Sequence, residues 1–266
     1  MKNLKVLPLA IIGTVIGAVI SVILIVTRTL PMQASEQAAN VDYLYIFFLA
    51  FSGIIFGIVT LFLLVGVYRF RARPNDQREG KNVHGNTGLE ILWTAIPFVI
   101  VVACVIGGWY VLAKDDVYAA GEKSGQKIHI IGYQFGWKFD YMNEEIALKE
   151  EAELVVPVGQ PIAFELTSND VMHAFWVPDW RFQMSTLPTQ INYASVTPTK
   201  IGTFDVVCAY LCGVGHTGMN SAVEGSIIPQ VRVVSQADFD KWVAERKAAL
   251  AQEAEQADQT TTAEAA

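Results

Sequence analysis

With 266 residues, 52% of them hydrophobic, the chain is long enough for more than one folded unit and too apolar on average for a single soluble globule. Its formal net charge of −7 argues against nucleic acid as a partner, because a phosphate backbone recruits lysine and arginine. Three cysteines in this length exclude a disulfide-stapled scaffold.

Residues 6–26, 43–68 and 91–113 carry no charge. Each run suffices to cross a hydrocarbon core about 30 Å thick at about 1.5 Å per helical residue. No comparable run follows Lys114. The pattern predicts a membrane-anchored protein with a soluble domain at its C-terminal end. The first run follows a short basic start containing Lys2 and Lys5, so it reads as a secretory signal or as a retained anchor. Its 21 residues exceed the apolar core of a signal, about 7–15 residues, and no clear A-x-A site follows. The stretch LPMQASEQA is nevertheless a candidate cleavage region, and the two readings are balanced.

The loop YRFRARPNDQREGKNVHG between the second and third runs holds Arg69, Arg71, Arg73, Arg78 and Lys81. Short basic loops stay on the cytoplasmic side, which places everything after Lys114 outside. Lys2 and Lys5 then also fall inside, in agreement. Residues 114–234 hold 8 basic and 14 acidic residues, a net of −6. Such a surface would steer basic partners, and it equally suits ordinary solubility charge.

The outer segment alternates apolar and polar residues in KIHIIGYQF, WKFDYM, ELVVPVG, IAFELTS, INYASVT, GTFDVVC and SIIPQVRVV, punctuated by Gly, Pro, Asn and Asp. This predicts an antiparallel β-sandwich of about 120 residues. The tail QADFDKWVAERKAALAQEAEQADQTTTAEAA reads as one amphipathic helix fading into a disordered end. The expected boundaries are 1–40 for the N-terminal hydrophobic segment and an outer linker, 41–114 for a transmembrane helical hairpin, 115–235 for the outer domain and 236–266 for the tail.

Chemistry concentrates in CAYLCGVGHTGM, residues 208–219, which gathers Cys208, Cys212, His216 and Met219. A disulfide between the cysteines would make His216 and Met219 coincidental. A structural zinc site built from Cys208, Cys212, His216 and a distant His173 would gain nothing from a thioether and prefers closer cysteines. Plain core packing is the third alternative. Thiolate, thioether and imidazole together suit copper, and two thiolates four residues apart can each bridge a pair of copper ions. Each copper then needs an imidazole, so a second histidine is required. His84 lies in the cytoplasmic loop, and His129 alternates with Ile128 and Ile130 as a strand residue. His173, at a strand end in SNDVMHAFWVPDW, is the expected second imidazole.

These residues resemble the signature C-x-E-x-C-G-x-x-H-x-x-M of subunit II of the cytochrome c oxidases, with Cys208, Cys212, Gly213, His216 and Met219 in place. The resemblance runs from about Val41 to Val234 and includes HGNTGLEILWTAIP, GYQFGWKFDY and NDVMHAFWVP. It implies a cupredoxin-like Greek-key sandwich on a transmembrane hairpin in a bacterial cell membrane, facing the outer side. It implies a dinuclear copper centre, CuA, bridged by Cys208 and Cys212 and capped by His173 and His216. Met219 and the backbone carbonyl of Tyr210 would be the axial ligands. It also implies electron transfer from a soluble or membrane-bound cytochrome c to haem in an oxidase subunit I, beside a subunit III. Oxygen reduction coupled to proton pumping would belong to the partner subunit, so no catalytic residue is expected in this chain.

Three departures accompany the match. Tyr210 replaces a glutamate that the family offers to a magnesium ion at the subunit I interface, which puts that magnesium in doubt here. WRFQMSTLPTQ stands where the family often has K-x-D-x-x-P-G, with Gln183 and Ser185 in place of charged residues. Phe135 occupies the position of the first tryptophan of the family's Q-W-x-W run, the usual point of electron input, while Trp137 keeps the second. The alternatives in function are the CuA subunit of a nitric oxide reductase of the same superfamily and a copper-binding membrane protein without electron transfer. No C-x-x-C-H occurs in the chain, so a c-type haem donor must be separate.

The topology is open to direct test. A reporter fused at Gly80 should read cytoplasm and one at Gly121 the outer side; the reverse would contradict the argument from the basic loop.

Overall fold

The computed structural model describes residues 6–27, 30–71, 84–114, 126–148, 153–219 and 231–264. The chain divides into two units. One comprises residues 1–30 and 41–114, the other residues 31–40 and 115–266. Residues 31–40, part of the outer linker expected from the sequence, fall in the same unit as the sandwich.

The first unit consists of three helices, α1 (Val6–Val26), α2 (Glu36–Arg69, which starts in the second unit) and α3 (Thr87–Lys114). All three are long and apolar enough to span a membrane. Each predicted run became a helix because its backbone polar groups can only be satisfied internally in hydrocarbon. The start of α3 is fixed by a reciprocal cap: Asn86 Oδ1 accepts from the Leu89 N–H at 3.1 Å, and Glu90 Oε1 accepts from the Asn86 N–H at 3.0 Å. Arg73, Arg78 and Lys81 of the basic loop lie outside the described residues.

The second unit is a β-sandwich. Its strands are β1 (Gln126–Tyr133), β2 (Gly136–Tyr141), β3 (Ile146–Ala147), β4 (Leu154–Pro157), β5 (Ile162–Ser168), β6 (His173–Val177), β7 (Phe182–Thr186), β8 (Asn192–Val196), β9 (Gly202–Phe204), β10 (Val207–Cys208) and β11 (Val231–Val234). They form sheets ordered β3-β2-β1-β5-β8, β10-β6-β7 and β4-β11-β9, whose buried faces share one core. An all-β sandwich after apolar helices is what the sequence predicts, but the pairing is not wholly antiparallel. β1 runs parallel to β5, with Ile130 opposite Leu166, and β11 runs parallel to β4. Alternation cannot reveal this, because β1 buries every second residue whichever way its neighbour runs.

Two further details differ from expectation. GTFDVVC does not form one strand: Gly202–Phe204 pairs with β11, while Val207–Cys208 pairs with β6 in another sheet. β7 lies in WRFQMSTLPTQ, outside the predicted strands, because its burial does not alternate.

The last helix, α4 (Gln236–Glu264), runs through the Ala/Glu/Gln/Thr stretch in which disorder was expected. Its start is capped by Ser235, whose Oγ accepts from the Asp238 N–H at 3.2 Å. Phe239 and Trp242, three residues apart on one face, pack on Tyr141 with ring centroids 6.3 and 4.9 Å away. Tyr141 is itself fully buried. Its hydroxyl accepts from the Val155 N–H and donates to the Val155 carbonyl, both at 2.8 Å. Burial raises its pKa far above the usual phenol value, so the hydroxyl stays protonated and can donate.

Tyr141→Phe keeps the ring and strands two buried backbone groups of Val155. The expected loss is about 1–3 kcal/mol, read as a lower denaturant midpoint with unchanged slope.

Candidate metal centre

Strand β6 opens at His173, which is fully buried, and β10 ends at Cys208. The two strands pair antiparallel with Cys208 opposite Phe175, and the Ala209 N–H continues the ladder to the Ala174 carbonyl at 3.0 Å. This pairing brings residues 35 positions apart side by side. Cys208 Sγ lies 4.0 Å from His173 Nδ1. The chain then loops through Tyr210 and returns at Cys212. The donor atoms of His173, Cys208 and Cys212 all lie within 4.8 Å of one another.

A single 3₁₀ turn, His216–Met219, completes the group. Cys212 Sγ stands 3.5 Å from His216 Nδ1 and 3.4 Å from Met219 Sδ. Met219 is fully buried, whereas His216 is partly exposed. The Tyr210 carbonyl oxygen lies 3.3 Å from Cys208 Sγ. Both cysteines are free thiols, so the disulfide alternative is not realised. His129 hydrogen-bonds Thr167 Oγ1 at 2.7 Å on β1, as a strand residue should, and His84 lies in the helical unit.

Several residues that hold the group in place escape a reading of the sequence. Asp170 Oδ1 takes His173 Nε2 at 2.8 Å, which leaves Nδ1 free to face Cys208. The same carboxylate accepts the Gln134 and Val171 N–H groups, each at 2.6 Å. Gln134 Nε2 donates to the Cys212 carbonyl at 2.6 Å, so the β1–β2 turn, the approach to β6 and the Cys208–Met219 loop are stitched together. Gly132 makes room for the histidine: a Cβ there would come within 2.9 Å of His173 Cδ2. The only sequence signal for Asp170 is a carboxylate three positions before a ligand-type histidine, which is common by chance.

The electrostatics follow from these contacts. Burial pushes the Asp170 carboxyl up, but its bonds to His173, Val171 and Gln134 outweigh this and hold it below the ordinary value. Burial pulls the His173 pKa down, and bonding to Cys208 and Asp170 carries it above the ordinary value instead. The Cys208 thiol is lowered because contacts with His173 and with the Ala174 and Tyr210 backbone overcome its burial. Cys212 is raised by burial and by the neighbouring Cys208. Without a cation the two thiols are pushed in opposite directions, so Cys208 is the more readily ionised of the pair.

Donor chemistry decides what fits. Two thiols, two imidazoles and a thioether converge in a mostly buried pocket, a set that suits a soft metal such as copper and wastes a ligand on zinc. The Tyr210 side chain itself offers a phenol and no carboxylate. Its hydroxyl hydrogen-bonds Ser185 at 2.8 Å, a neutral pair that lacks the carboxylate a magnesium ion prefers.

The two aromatic residues expected at the point of electron input occupy different places. Trp137 is fully buried, edge-on to His173 with centroids 5.9 Å apart and to Phe175 at 5.1 Å. Neither Trp137 nor Phe175 can touch a docking partner. Phe135 is 37% exposed and lies against the backbone of Gly213 and Gly215, so tightly that a Cβ on Gly215 would clash with its ring.

Known proteins share sequence with both units of the chain. The family model described as cytochrome c oxidase subunit II, periplasmic domain, matches residues 143–226, and that for the transmembrane domain matches residues 24–107. Cytochrome c oxidase subunit 2 of Alkalihalophilus pseudofirmus is 33% identical over 178 residues, covering 66% of this chain, and this chain spans about half of that relative's length, 49%. The subunit 2 of Thermostichus vulcanus is 29% identical over 263 residues, covering 80% of this chain and 77% of its own. Among solved structures, the periplasmic domain of subunit II of cytochrome oxidase (CoxB) of Bradyrhizobium japonicum is 27% identical, with a TM-score of 0.42, covering 47% of this chain and 95% of its own. The chain belongs to the cytochrome c oxidase subunit II family.

Proposed function

We propose that this chain is the electron-accepting subunit of a respiratory haem–copper oxidase. It takes electrons from a cytochrome c at a dinuclear copper centre and passes them to haem in subunit I for the reduction of oxygen. The observation that carries the reading is the convergence of Cys208, Cys212, His173, His216 and Met219 within one pocket of the sandwich. Cys208 and Cys212 would bridge the two ions, His173 and His216 would cap them, and Met219 and the Tyr210 carbonyl would complete the set. When bound, copper supplies reversible one-electron oxidation and reduction.

The residues of the chain supply position and insulation. Asp170 fixes which imidazole nitrogen faces the thiols, and the β6–β10 ladder fixes the distance between His173 and Cys208. Burial of His173, Cys208, Cys212 and Met219 keeps water away from the soft donors. Phe135, Leu211 and Val214 carry exposed apolar surface on the segments that meet at the pocket, with Leu211 at 89% and Val214 at 104% exposure. They offer a donor protein a contact that does not depend on charge, beside the acidic remainder of the domain.

Copper analysis of the purified protein should give two ions per chain and a paramagnetic signal from one electron shared over both nuclei. A four-line signal from a single copper would defeat the dinuclear reading. Cys212→Ser should abolish the shared signal, because one bridging thiolate is gone.

Phe135→Ala should slow copper reduction by a donor cytochrome in stopped flow while leaving stability nearly unchanged. Trp137→Ala removes a fully buried ring and should instead cost stability, about 3–5 kcal/mol. Equal reduction rates for Phe135→Ala and the unaltered protein would remove Phe135 from the path of electron input.

A further inference from the structure

From the packing of α1 we infer that this helix stays in the mature protein as a third membrane span, seated on the glycine face of α2. The inference does not rest on the copper reading. The family's transmembrane model begins at residue 24 and so leaves nearly all of α1 without a role.

The first observation is the seam between the two helices. Only Gly13, Gly17 and Ser21 of α1 are buried, at a spacing of four that puts them on one face. Opposite them stand Gly53 and Gly57 of α2, so close that no larger side chain fits on either side. A Cβ on Gly13 would come within 2.7 Å of Ile58 Cα, and one on Gly57 within 2.7 Å of the Gly17 nitrogen. A Cβ on Gly17 would run into the Gly53 carbonyl, and one on Gly53 into Ser21 Oγ. Ser21 Oγ also reaches the Leu49 carbonyl across the seam at 3.2 Å. A secretory signal needs only an apolar core and gains nothing from this fit. Each glycine weakens a helix by about 1 kcal/mol relative to alanine, a cost that close packing against a partner offsets in a membrane.

The second observation is independent and concerns the chain after α1. The candidate cleavage region is sewn into the sandwich unit. The Ala34 N–H donates to the Asp179 carbonyl and the Ala34 carbonyl accepts from the Thr199 N–H, both at 2.9 Å. Ser35 Oγ donates to the Trp180 carbonyl at 2.7 Å, the Glu36 N–H reaches the Thr197 carbonyl at 3.0 Å, and Arg181 donates to the Pro31 carbonyl at 2.8 Å. Ala34 is fully buried. A cut after Ala34 would take the partner of the Asp179 carbonyl and the Thr199 N–H out of the mature chain, and an earlier cut within LPMQASEQA would turn the strap into a loose chain end.

Peptide mapping and intact mass of the full chain, purified from membranes, provide the test. Recovery of the Val6–Val26 region, continuous with the sandwich, is the expected result. A mature chain beginning between residues 27 and 40 would overturn the inference. The seam is read separately through Gly17→Leu, which the Gly53 carbonyl cannot accommodate, against Val15→Leu on the exposed face of α1. Gly17→Leu should lower the thermal midpoint of the full chain purified in detergent, and Val15→Leu should leave it unchanged. Equal midpoints for the two variants would show that α1 does not sit on this face.

Discussion

Two residues of strand hold the candidate metal pocket together. Val207 and Cys208 pair with Trp176 and Phe175, and this short antiparallel ladder is what sets His173 beside Cys208. Everything else at the pocket hangs from that pairing. The loop from Ala209 to Met219 leaves the end of β10, so Cys212, His216 and Met219 inherit its position. Had GTFDVVC stayed in one sheet, Cys208 would have continued along β11 and away from His173. The switch at Asp205–Val206 therefore serves the site as much as the fold.

A ladder of two residues is weak alone, and the surroundings stiffen it. Asp170 and Gln134 tie three segments with short hydrogen bonds, so the protein itself fixes the candidate ligand atoms. Behind them Trp137, Phe139 and Phe175 form an edge-to-face stack that runs from His173 into the core. α4 closes the far side of the domain over Tyr141. For a proposed electron-transfer centre such rigidity has a direct use, because a pocket that does not rearrange adds little to the barrier for moving an electron.

The membrane unit obeys a different solvent, and its contacts differ accordingly. The sandwich packs large aromatic and branched side chains, whereas α1 and α2 meet through glycine and serine. Among lipid tails apolar bulk brings no preference for a neighbouring helix, so close backbone approach must supply it. The strap from Pro31 to Glu36 shares hydrogen bonds with the sandwich.

Three apolar spans, the order of membrane helices before an all-β domain and the cluster Cys208, Cys212, His216 and Met219 are determined by the sequence alone. Each depends on local quantities: run length, period and the spacing of donors along one loop. His173 was also within reach, by elimination among four histidines. What only the tertiary structure decided depends on contacts between distant segments. Parallel pairing of β1 with β5 leaves the same alternation as antiparallel pairing. Asp170 and Gln134 are ordinary polar residues until the fold sets them against His173 and Cys212. The difference between Trp137 and Phe135 is of the same kind, since two aromatic residues separated by Gly136 share one local pattern. The β1–β2 turn leaves Phe135 at the surface, against the loop that carries Cys212, and β2 carries Trp137 into the core behind His173.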